Sequence, residues 1–354
     1  MIEKYIRRDL KDFKNYSADF INYKVKLDAN ESPYSLCEEM KVELCNWIKE
    51  SENLNIYPDT DCSELREELA KFWTVEKENV ICGVGSDQLI DCILKLFIEV
   101  NDKVMMPTPS FAMYKISTVM NHGIPCEFDL NNDYSYDTEK IIEHYKKLNP
   151  KVLILCTPNN PTGNKMDKGE MKKVLENVKC PVIVDEAYGE FNDETVIDLI
   201  KQYDNLIILR TFSKIYGLAG LRVGYGISNS KMIHLINVTK PPYNLNTFSQ
   251  IVAVQVLKNK ALYEDRGNKI MEEKKWLEEE LKLIRDIEIF KSSANFILIK
   301  SPVNNLGDKL KEKGILIRSF KGDDKLNNCH RISIGLREEN EILIKGIKEL
   351  YDNE

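Results

Sequence analysis

The sequence predicts an α/β protein with a large, mainly parallel sheet covered by helices, followed by a smaller α+β domain. Between residues 80 and 210, short apolar runs alternate with turn residues and amphipathic stretches, which is the pattern of strand–helix repeats. After about residue 245 this alternation stops, and long helical stretches precede short strand-like segments. The length of 354 residues agrees with two domains of roughly 150 residues each.

The amino-terminal residues 1–35 are polar and irregular, and they are predicted to form an arm, which joins the small domain or a dimer contact, rather than a core element. A large domain is predicted over residues 36–245. Within it, residues 63–73 place apolar side chains at helical spacing after a serine cap. Its predicted strands are 80–82, 103–106, 152–156, 182–185 and 206–210. The last three are nearly continuous hydrophobic runs, as expected for strands buried on both faces.

The small domain is predicted over residues 246–354. Residues 249–286 have a strongly helical pattern, and a terminal helix is predicted at 337–351. The charge-rich segment 271–282 is interpreted as a solvated helix face. The predicted strands of this domain are 295–299, 315–318 and 331–334.

Composition excludes several classes of protein. The longest unbroken aliphatic run is Val152–Cys156, whereas a membrane-spanning helix needs about 20 apolar residues. The amino terminus is charged and shows no secretory signal, so a cytoplasmic location is expected. With 50 Lys and Arg against 57 Asp and Glu, the net charge of −7 argues against a general nucleic-acid binder.

The cysteines and histidines indicate neither a disulfide framework nor a metal site. The 9 cysteines are odd in number and contain no C-x-x-C spacing. Those inside apolar runs, such as Cys156 and Cys180, are interpreted as buried reduced thiols. None of the 4 histidines lies near another in the sequence, so a histidine-based metal site is not expected.

Polar side chains follow four of the apolar runs, and open α/β sheets bind ligands at such strand ends. The first strand leads into the Gly83–Gly85 turn and a helix that opens on Ser86. Free N–H groups at a helix start attract a phosphate. The motif lacks the lysine of a P-loop, so a simple turn with Ser86 as N-cap remains an alternative.

The second and third strand ends carry amides and carboxylates. Residues 155–163 combine prolines, asparagines and glycine in a rigid turn, where one asparagine amide is a candidate for a polar contact. Asp185 ends an apolar run and is followed by Glu186 and then by Tyr188. A carboxylate at the end of a buried strand is costly unless paired, so Asp185 is expected to face a metal or a protonated heterocyclic nitrogen.

The fourth strand end combines a lysine with candidate phosphate-binding groups. Lys214 lies among Gly, Ala and Leu rather than on a charged face. Partial desolvation there would favour Schiff-base chemistry, although most lysines in proteins are solvated surface groups. The hydroxyls of Thr211 and Ser213, together with Arg222, suggest capture of a phosphate.

Taken in order, these segments resemble the fold-type I pyridoxal-phosphate aminotransferases over nearly the whole chain. The motifs that carry the resemblance are Gly85–Asp87, Asn159–Gly163, Asp185–Tyr188, Thr211–Lys214 and Gly220–Arg222. The histidinol-phosphate aminotransferase subfamily is similar through further segments, namely Asp28–Glu31, Tyr57–Asp59, Phe111–Tyr114, Pro242–Asn246, Ala294–Phe296 and Arg331–Gly335. The resemblance implies a mixed, mostly parallel sheet, pyridoxal 5′-phosphate as cofactor and a homodimer.

The roles of cofactor-binding residues transfer as implications of this resemblance. Lys214 would hold the cofactor as a Schiff base and move a proton, and Asp185 would pair with the pyridinium nitrogen. Asn160 and Tyr188 would hydrogen-bond the phenolic oxygen of the ring, and Phe111 would stack on the ring. The residues expected around the phosphate are Ser86, Asp87, Thr211, Ser213 and Arg222.

The resemblance also implies how substrates bind. Tyr57 would reach into the site of the neighbouring subunit. Arg331 would clamp an anionic group of the substrate, with Tyr34 and Arg318 as further candidates, although Arg318 also fits a strand-edge surface residue. The expected reaction is a ping-pong transfer of an amino group from a small-molecule donor to 2-oxoglutarate, and histidinol phosphate is the leading donor.

The chain departs from the subfamily pattern at Val84, Gln88, Ser32 and Ser35, near the expected phosphate cradle and the substrate-side arm. An aminotransferase for an aromatic or other phosphorylated amino compound therefore stays open. A decarboxylase of the threonine-phosphate type also stays open, and it would release carbon dioxide without consuming 2-oxoglutarate. A catalytically idle cofactor- or nucleotide-binding module is the alternative from another class, and the joint presence of a lysine, an aspartate and an arginine at the strand ends argues against it.

Overall fold

Strands and helices alternate through most of the chain, as the sequence predicts. The computed structural model describes residues 2–11, 22–51, 54–192 and 194–351. Its strands are β1 (Val25–Leu27), β2 (Val80–Val84), β3 (Lys103–Thr108), β4 (Ile124–Asp129), β5 (Val152–Cys156), β6 (Val182–Asp185), β7 (Leu206–Thr211), β8 (Val223–Ile227), β9 (Glu288–Ile289), β10 (Phe296–Lys300), β11 (Ile315–Ser319) and β12 (Cys329–Ser333).

Helices separate most of these strands. They are α1 (Glu38–Glu50), α2 (Ser63–Trp73), α3 (Gly85–Phe97), α4 (Ala112–Met120), α5 (Thr138–Leu148), α6 (Lys168–Asn177), α7 (Ser230–Thr239), α8 (Thr247–Lys258), α9 (Lys260–Lys282), α10 (Leu306–Glu312) and α11 (Arg337–Tyr351). The helical stretch predicted at 249–286 consists of α8 and α9, which are separated at Asn259. The predicted helices at 63–73 and 337–351 are confirmed by α2 and α11.

The large sheet contains seven strands in the order β2-β8-β7-β6-β5-β3-β4. Strands β3 to β7 pair in parallel with one another, whereas β8 runs antiparallel to both β2 and β7. This topology confirms the mixed, mostly parallel sheet. The central strands β5, β6 and β7 are buried along their whole length.

The buried strands explain the continuous apolar runs in the sequence. Successive side chains of a strand point to opposite faces of the sheet. In β6, Val182 and Val184 belong to one hydrophobic cluster, and Ile183 belongs to the cluster on the other face. Because helices cover both faces, every position of the strand must be apolar until Asp185 ends it at the edge of the sheet.

Strand β8 is not predicted from the sequence, because two glycines interrupt its apolar pattern. Gly224 is required for packing rather than for a turn. A Cβ at this position would lie 2.3 Å from both the backbone nitrogen of Ser86 and the carbonyl carbon of Gly85. The missing side chain therefore lets the start of α3 lie directly against β8. Edge strand β4, whose residues are mostly exposed or half-buried, is also missed.

The small sheet has the order β1-β11-β12-β10-β9, and its first strand comes from the amino-terminal arm. Strand β1 pairs in parallel with β11, and its residues Val25 and Leu27 are buried. The expectation that the arm contributes no core element is therefore wrong for Val25–Leu27. A three-residue strand is too short to show a periodic pattern. Residues 12–21 of the arm lie outside the described residues, and the proposed domain boundaries stay a prediction.

Across the part of the chain that the structure describes, no helix combines the length and the apolar character needed to cross a membrane. In the same residues, no group of three or more His, Cys, Asp or Glu side chains could hold a metal ion. All nine cysteines lie within the described ranges and are free thiols.

Candidate active site

A cavity of about 950 Å³ lies between the carboxyl ends of the parallel strands and the small sheet. It brings together most of the residues predicted from the strand ends. The predicted residues that line it are Ser86, Asp87, Phe111, Asn160, Asp185, Tyr188, Thr211, Ser213, Lys214, Arg222, Arg318 and Arg331. Two predicted residues, Tyr34 and Tyr57, do not line it.

Asp185 ends β6 at the cavity and is 3% exposed. Its Oδ2 accepts a hydrogen bond from the Tyr114 hydroxyl at 2.7 Å, and its Oδ1 accepts one from the backbone N–H of Ala187 at 3.0 Å. Burial raises the pKa of the carboxyl to about 6, and the two hydrogen bonds oppose that shift. A carboxylate in this setting suits a cationic partner, such as a protonated ring nitrogen.

Lys214 lies in the loop after β7, and its Nζ donates a hydrogen bond to the carbonyl oxygen of Ala29 at 3.1 Å. The same atom lies 5.4 Å from the ring centroid of Tyr188. Burial, with a smaller contribution from the positive charge of Arg331, lowers the pKa of the Lys214 amine to about 8. A substantial neutral fraction near pH 8 makes this amine both a nucleophile and a proton acceptor.

The start of α3 and the loop after β7 form a cluster of anion-binding groups. Gly85 opens the helix with φ +74°, and a Cβ there would lie 2.6 Å from Nη2 of Arg222. Arg222 donates to Oδ2 of Asp87 at 3.1 Å and to the Ser213 hydroxyl at 3.4 Å. The Thr211 hydroxyl donates to Oγ of Ser213 at 2.9 Å. A helix N-terminus, two hydroxyls and a guanidinium therefore meet at one end of the cavity.

The two asparagines after β5 have different surroundings. Asn159 is fully buried, accepts a hydrogen bond from the Ser110 hydroxyl at 2.6 Å and donates to the carbonyl of Pro109 at 3.0 Å. Asn160 lines the cavity, and its Oδ1 accepts a hydrogen bond from Nη1 of Arg331 at 2.5 Å. Asn159 thus joins two loops, whereas Asn160 presents its side chain to the cavity.

Asn30 connects the amino-terminal arm to Tyr188. It is fully buried, and its Nδ2 donates a hydrogen bond to the Tyr188 hydroxyl at 2.9 Å. Its backbone N–H donates to Oγ of Ser333 at 2.7 Å, with φ 54° at Asn30. Burial raises the pKa of Tyr188 to about 12, so the phenol keeps its proton at neutral pH and can donate a hydrogen bond.

This donor set fits pyridoxal phosphate. An amine (Lys214), a carboxylate (Asp185), a phenyl ring (Phe111) and the anion-binding cluster match the aldehyde, the ring nitrogen, the ring face and the phosphate. Gly220 lies at the same cavity, and a Cβ built on it would meet no atom within 4 Å. The rim of the cavity is therefore open at Gly220.

The part of the cavity formed by β1, β11 and α10 is rich in cationic side chains. Lys26 pairs with Asp28 at 2.9 Å and also with Glu31, and Lys321 pairs with Asp308 at 2.6 Å. The cationic residues that line this part, with Arg331 beside it, are Lys26, Lys311, Arg318 and Lys321. Of these cationic residues, only Arg318 and Arg331 are predicted from the sequence to bind substrate. The lysines are spread over three elements and carry no shared motif.

Tyr57 points away from the cavity of its own chain. Its side chain is 76% exposed and stacks on Tyr243 with ring centroids 4.4 Å apart. The neighbouring side chains Leu54 and Ile56 are also exposed. Tyr34 packs at the edge of the core, with the Arg266 guanidinium 5.3 Å from its ring centroid.

Two residues at the site received no role from the sequence. Tyr114 bonds Asp185, and Asn30 bonds Tyr188. Both belong to segments that carry the family resemblance, Phe111–Tyr114 and Asp28–Glu31. Their position in these segments is the sequence feature that could have pointed to a role at the site.

Known proteins match this chain over nearly its full length. The family model described as "Aminotransferase class I and II" matches residues 22–347. A curated protein of Ruminiclostridium cellulolyticum, "Histidinol-phosphate aminotransferase", is 47% identical, and the match covers 99% of this chain and 98% of that protein. A Pyrococcus furiosus protein of the same name is 38% identical, with 98% of each chain covered.

Solved structures show the same fold. The histidinol-phosphate aminotransferase from Clostridium acetobutylicum superposes with a TM-score of 0.85 at 27% identity, covering 93% of this chain and 100% of that chain. The Sinorhizobium meliloti histidinol-phosphate aminotransferase in complex with pyridoxal-5′-phosphate has a TM-score of 0.86 at 21% identity, covering 94% of this chain and 91% of that chain. At 21% identity, the similarity to the Sinorhizobium meliloti structure shows only a shared fold.

Proposed function

The chain belongs to the class I and II aminotransferase family, and on that premise we propose that it moves the amino group of histidinol phosphate to 2-oxoglutarate. Members of this family use pyridoxal phosphate. Relatives named histidinol-phosphate aminotransferase are 47% and 41% identical over 99% of this chain, and their name supports the choice of donor. The alternating use of donor and acceptor at one cavity gives a ping-pong cycle.

One observation carries the proposal: Lys214 and Asp185 line the same cavity, and burial shifts the pKa of each towards neutrality. The amine of Lys214 has a pKa of about 8, and the carboxyl of Asp185 a pKa of about 6. Near pH 8 an ionised Asp185 carboxylate therefore coexists with a substantial neutral fraction of the Lys214 amine in the cavity that the anion-binding cluster also lines. An idle binding module would need neither group.

The residues that would hold the cofactor come from both sides of the cavity. Backbone N–H groups at the start of α3 (Ser86 and Asp87) would bind the phosphate, together with the hydroxyls of Thr211 and Ser213 and the Arg222 guanidinium. Asp185 would hold the proton on the ring nitrogen. Tyr188 and Asn160 would donate hydrogen bonds to the phenolic oxygen, and Phe111 would cover one face of the ring.

Bound pyridoxal phosphate supplies an electron-withdrawing ring that stabilises negative charge at the substrate Cα. Lys214 would attach the cofactor until the substrate amine replaces it. Its freed Nζ would then take the proton from Cα and return it on the cofactor side. Asp185 would keep the ring nitrogen protonated, because its buried carboxylate, which accepts a hydrogen bond from the Tyr114 hydroxyl, would pair with the positive charge. Ala29 directs the lysine amine through its carbonyl oxygen.

The substrate-side charges support an anionic donor. Arg331 is held by its hydrogen bonds to Asn160 and to the carbonyl oxygen of Asp28 at 2.5 Å, so its guanidinium has a fixed orientation. Lys311 and Arg318 line the same part of the cavity, where the charges of Lys26 and Lys321 are offset by their ion pairs with carboxylates. A substrate phosphate or the carboxylate of 2-oxoglutarate would be attracted there.

The exposed side chains around Tyr57 support a homodimer in which this tyrosine enters the partner's site. Leu54, Ile56, Tyr57 and Tyr243 are all more than 45% exposed. A cluster of large apolar side chains on the surface of a folded chain marks an interaction site. The absence of Tyr57 from the cavity of its own chain agrees with this arrangement.

A half-reaction assay tests the proposed function. Purified holoenzyme is mixed with one amino donor at a time, and the absorbance of the bound cofactor is followed without any acceptor. Histidinol phosphate is expected to bleach the absorbance stoichiometrically, and 2-oxoglutarate added afterwards is expected to restore it.

Other donors serve as comparisons. Faster bleaching with phenylalanine than with histidinol phosphate would assign an aromatic amino donor instead. Release of carbon dioxide from threonine phosphate, with no need for 2-oxoglutarate, would assign a decarboxylase. No bleaching by any donor in a sample that contains stoichiometric cofactor would contradict transamination.

A further inference from the structure

Asn30 lies between the small sheet and Tyr188, and its backbone is held on both sides. The residue follows β1 and is fully buried, with a φ of 54° that asparagine adopts more readily than most residues. Its N–H donates a hydrogen bond to Oγ of Ser333, the last residue of β12, at 2.7 Å. Its carbonyl oxygen accepts one from Nδ2 of Asn295 at 3.2 Å. Both partners are buried.

The hydroxyl of Ser333 determines which way the side-chain amide of Asn30 faces. Because Oγ of Ser333 accepts the backbone N–H of Asn30, its own proton is directed to Oδ1 of the same asparagine at 3.1 Å. The amide nitrogen Nδ2 then faces the Tyr188 hydroxyl at 2.9 Å. An amide nitrogen only donates, so the Tyr188 oxygen accepts this bond and the phenol proton remains available for another acceptor.

Strand β12 orients a second donor of the cavity in the same way. Arg331 lies two residues before Ser333 and therefore on the same face of the strand. Its Nη1 donates to Oδ1 of Asn160. A guanidinium has no acceptor, so it holds the amide oxygen and leaves Nδ2 of Asn160 to donate to a ligand. Asn160 and Tyr188 both line the cavity, so β12 orients the two groups expected at the phenolic oxygen of the cofactor.

The segment Ala294–Phe296, one of those that carry the family resemblance, holds both members of the Asn30–Tyr188 pair. Asn295 fixes the carbonyl oxygen of Asn30. The ring of Phe296 meets the ring of Tyr188 edge to face, with centroids 5.1 Å apart and an interplanar angle of 81°. The phenol ring and the amide that faces it are therefore both positioned by the start of β10.

We propose that Ser333, acting through Asn30, is a positioning residue that makes Tyr188 a hydrogen-bond donor to the phenolic oxygen of the bound cofactor. The proposal rests on the proposed function in one respect, namely that pyridoxal phosphate occupies the cavity. Without the Ser333 hydroxyl, the amide of Asn30 could turn its oxygen to Tyr188 and take the phenol proton. Ser333 and Asn30 touch neither cofactor nor substrate in this scheme.

The direction of this hydrogen bond affects the charge of the cofactor. A donor at the phenolic oxygen favours its ionised form and so lowers the pKa at which the bound cofactor loses a proton. Tyr188 suits this task, since burial raises its pKa to about 12 and the phenol keeps its proton. The hydrogen bond that Tyr188 accepts from Asn30 also polarises its O–H, which makes it a stronger donor.

A pH titration of the reconstituted holoenzyme tests the proposal. The absorbance of the bound cofactor is recorded over a series of pH values, and the midpoint of its change is compared among variants with equal cofactor content. Tyr188→Phe removes the donor and is expected to raise the midpoint by about one pH unit. Ser333→Ala is expected to raise it by a smaller amount. Ser301→Ala removes the hydroxyl of another buried serine, outside the cavity, and should keep the wild-type midpoint.

A double variant separates an action through Tyr188 from a general effect on the fold. Adding Ser333→Ala to Tyr188→Phe is expected to cause no further shift, because the hydroxyl through which Ser333 acts is already absent. Asn30→Gly removes the amide while tolerating the φ of 54°, and it is also expected to raise the midpoint. Asn30→Gly therefore carries the test if Ser333→Ala does not retain the cofactor.

The proposal is overturned if fully loaded Ser333→Ala and Asn30→Gly titrate like the wild type, or if the shift of Ser333→Ala persists in Tyr188→Phe. These outcomes are distinct from a failure of the proposed function, because the titration needs bound cofactor but no amino donor. A donor other than histidinol phosphate would leave the midpoints as expected. A wild-type protein that binds no pyridoxal phosphate would overturn both proposals.

Discussion

The hydroxyl of Tyr114 donates a 2.7 Å hydrogen bond to Oδ2 of Asp185, and both side chains are buried. Tyr114 lies in α4 and Asp185 ends β6, so the bond joins a covering helix to the sheet. It fixes the plane of the carboxylate together with the N–H of Ala187. It also favours the ionised carboxylate against the effect of burial.

Replacing Tyr114 by Phe should therefore weaken cofactor binding. Loss of a hydrogen bond to a charged group costs about 1.5–3 kcal/mol, which corresponds to roughly a tenfold or larger increase in the dissociation constant. Reconstitution of the apoenzyme with pyridoxal phosphate, followed by fluorescence, measures this constant. Tyr136→Phe is the matched control, because the Tyr136 hydroxyl bonds the carbonyl oxygen of Cys156 at 2.6 Å and the residue does not line the cavity. Equal effects of the two variants would contradict a positioning role for Tyr114.

Lys214→Ala should abolish the covalent attachment of the cofactor. Borohydride reduction of the wild-type holoenzyme is expected to leave a cofactor-modified peptide that contains Lys214, and the variant should give none. Lys274→Ala is a suitable comparison, since burial also lowers the pKa of Lys274, which bonds Ser292 away from the cavity. Modification that persists in Lys214→Ala, or that disappears in Lys274→Ala, would contradict the assignment.

The strand ends of the large sheet were predictable because, at each one, charged or polar side chains directly follow a buried apolar run. Asp185, Lys214 and Arg222 all line the cavity that this reasoning expects. A buried strand leaves little freedom in register, and parallel strands end at one edge of the sheet. The sequence alone therefore predicts that these three side chains lie at one edge of the sheet, and they do line one cavity.

Contacts between distant segments were not predictable in the same way. Asn30 meets Tyr188 only because β1 joins the small sheet, and a three-residue strand leaves no periodic signal. Strand β8 is hidden because Gly224 makes room for the backbone of α3. In each case, the structure at one residue depends on contact with a segment that is distant in the sequence, and a local pattern does not show such a contact.

Arg331→Lys should impair binding of anionic substrates while keeping the positive charge. Lysine cannot reproduce the two hydrogen bonds to Asn160 and the carbonyl of Asp28, so the cation loses its orientation. We expect KM for an anionic donor to rise roughly tenfold or more, with a smaller change for an uncharged amine. Steady-state kinetics with both donors measures the ratio. Arg337→Lys, which alters an exposed pair with Glu273 outside the cavity, should leave both KM values unchanged.

Asp185→Asn should make the apoenzyme more stable near neutral pH, by an amount that depends on pH. Burial raises the pKa of the Asp185 carboxyl from 3.8 to about 6, so the folded state binds its proton more tightly than the unfolded state does. The stability that this proton contributes is complete below pH 3.8 and is lost as the pH rises through about 6. The neutral amide escapes that loss, and the full difference is of the order of 3 kcal/mol.

Denaturant unfolding of both apoproteins at a series of pH values measures this difference. The advantage of the variant over the wild type should be largest above pH 6 and should shrink as the pH falls towards 4, because the wild-type carboxyl then becomes protonated. Tyr114 keeps a hydrogen-bond acceptor in the amide, so the comparison isolates the charge. A stability difference that stays constant from pH 4 to 7 would show that the buried carboxylate is not the cause. Added cofactor should reverse the order, since its protonated ring nitrogen would pair with the wild-type carboxylate but not with the amide.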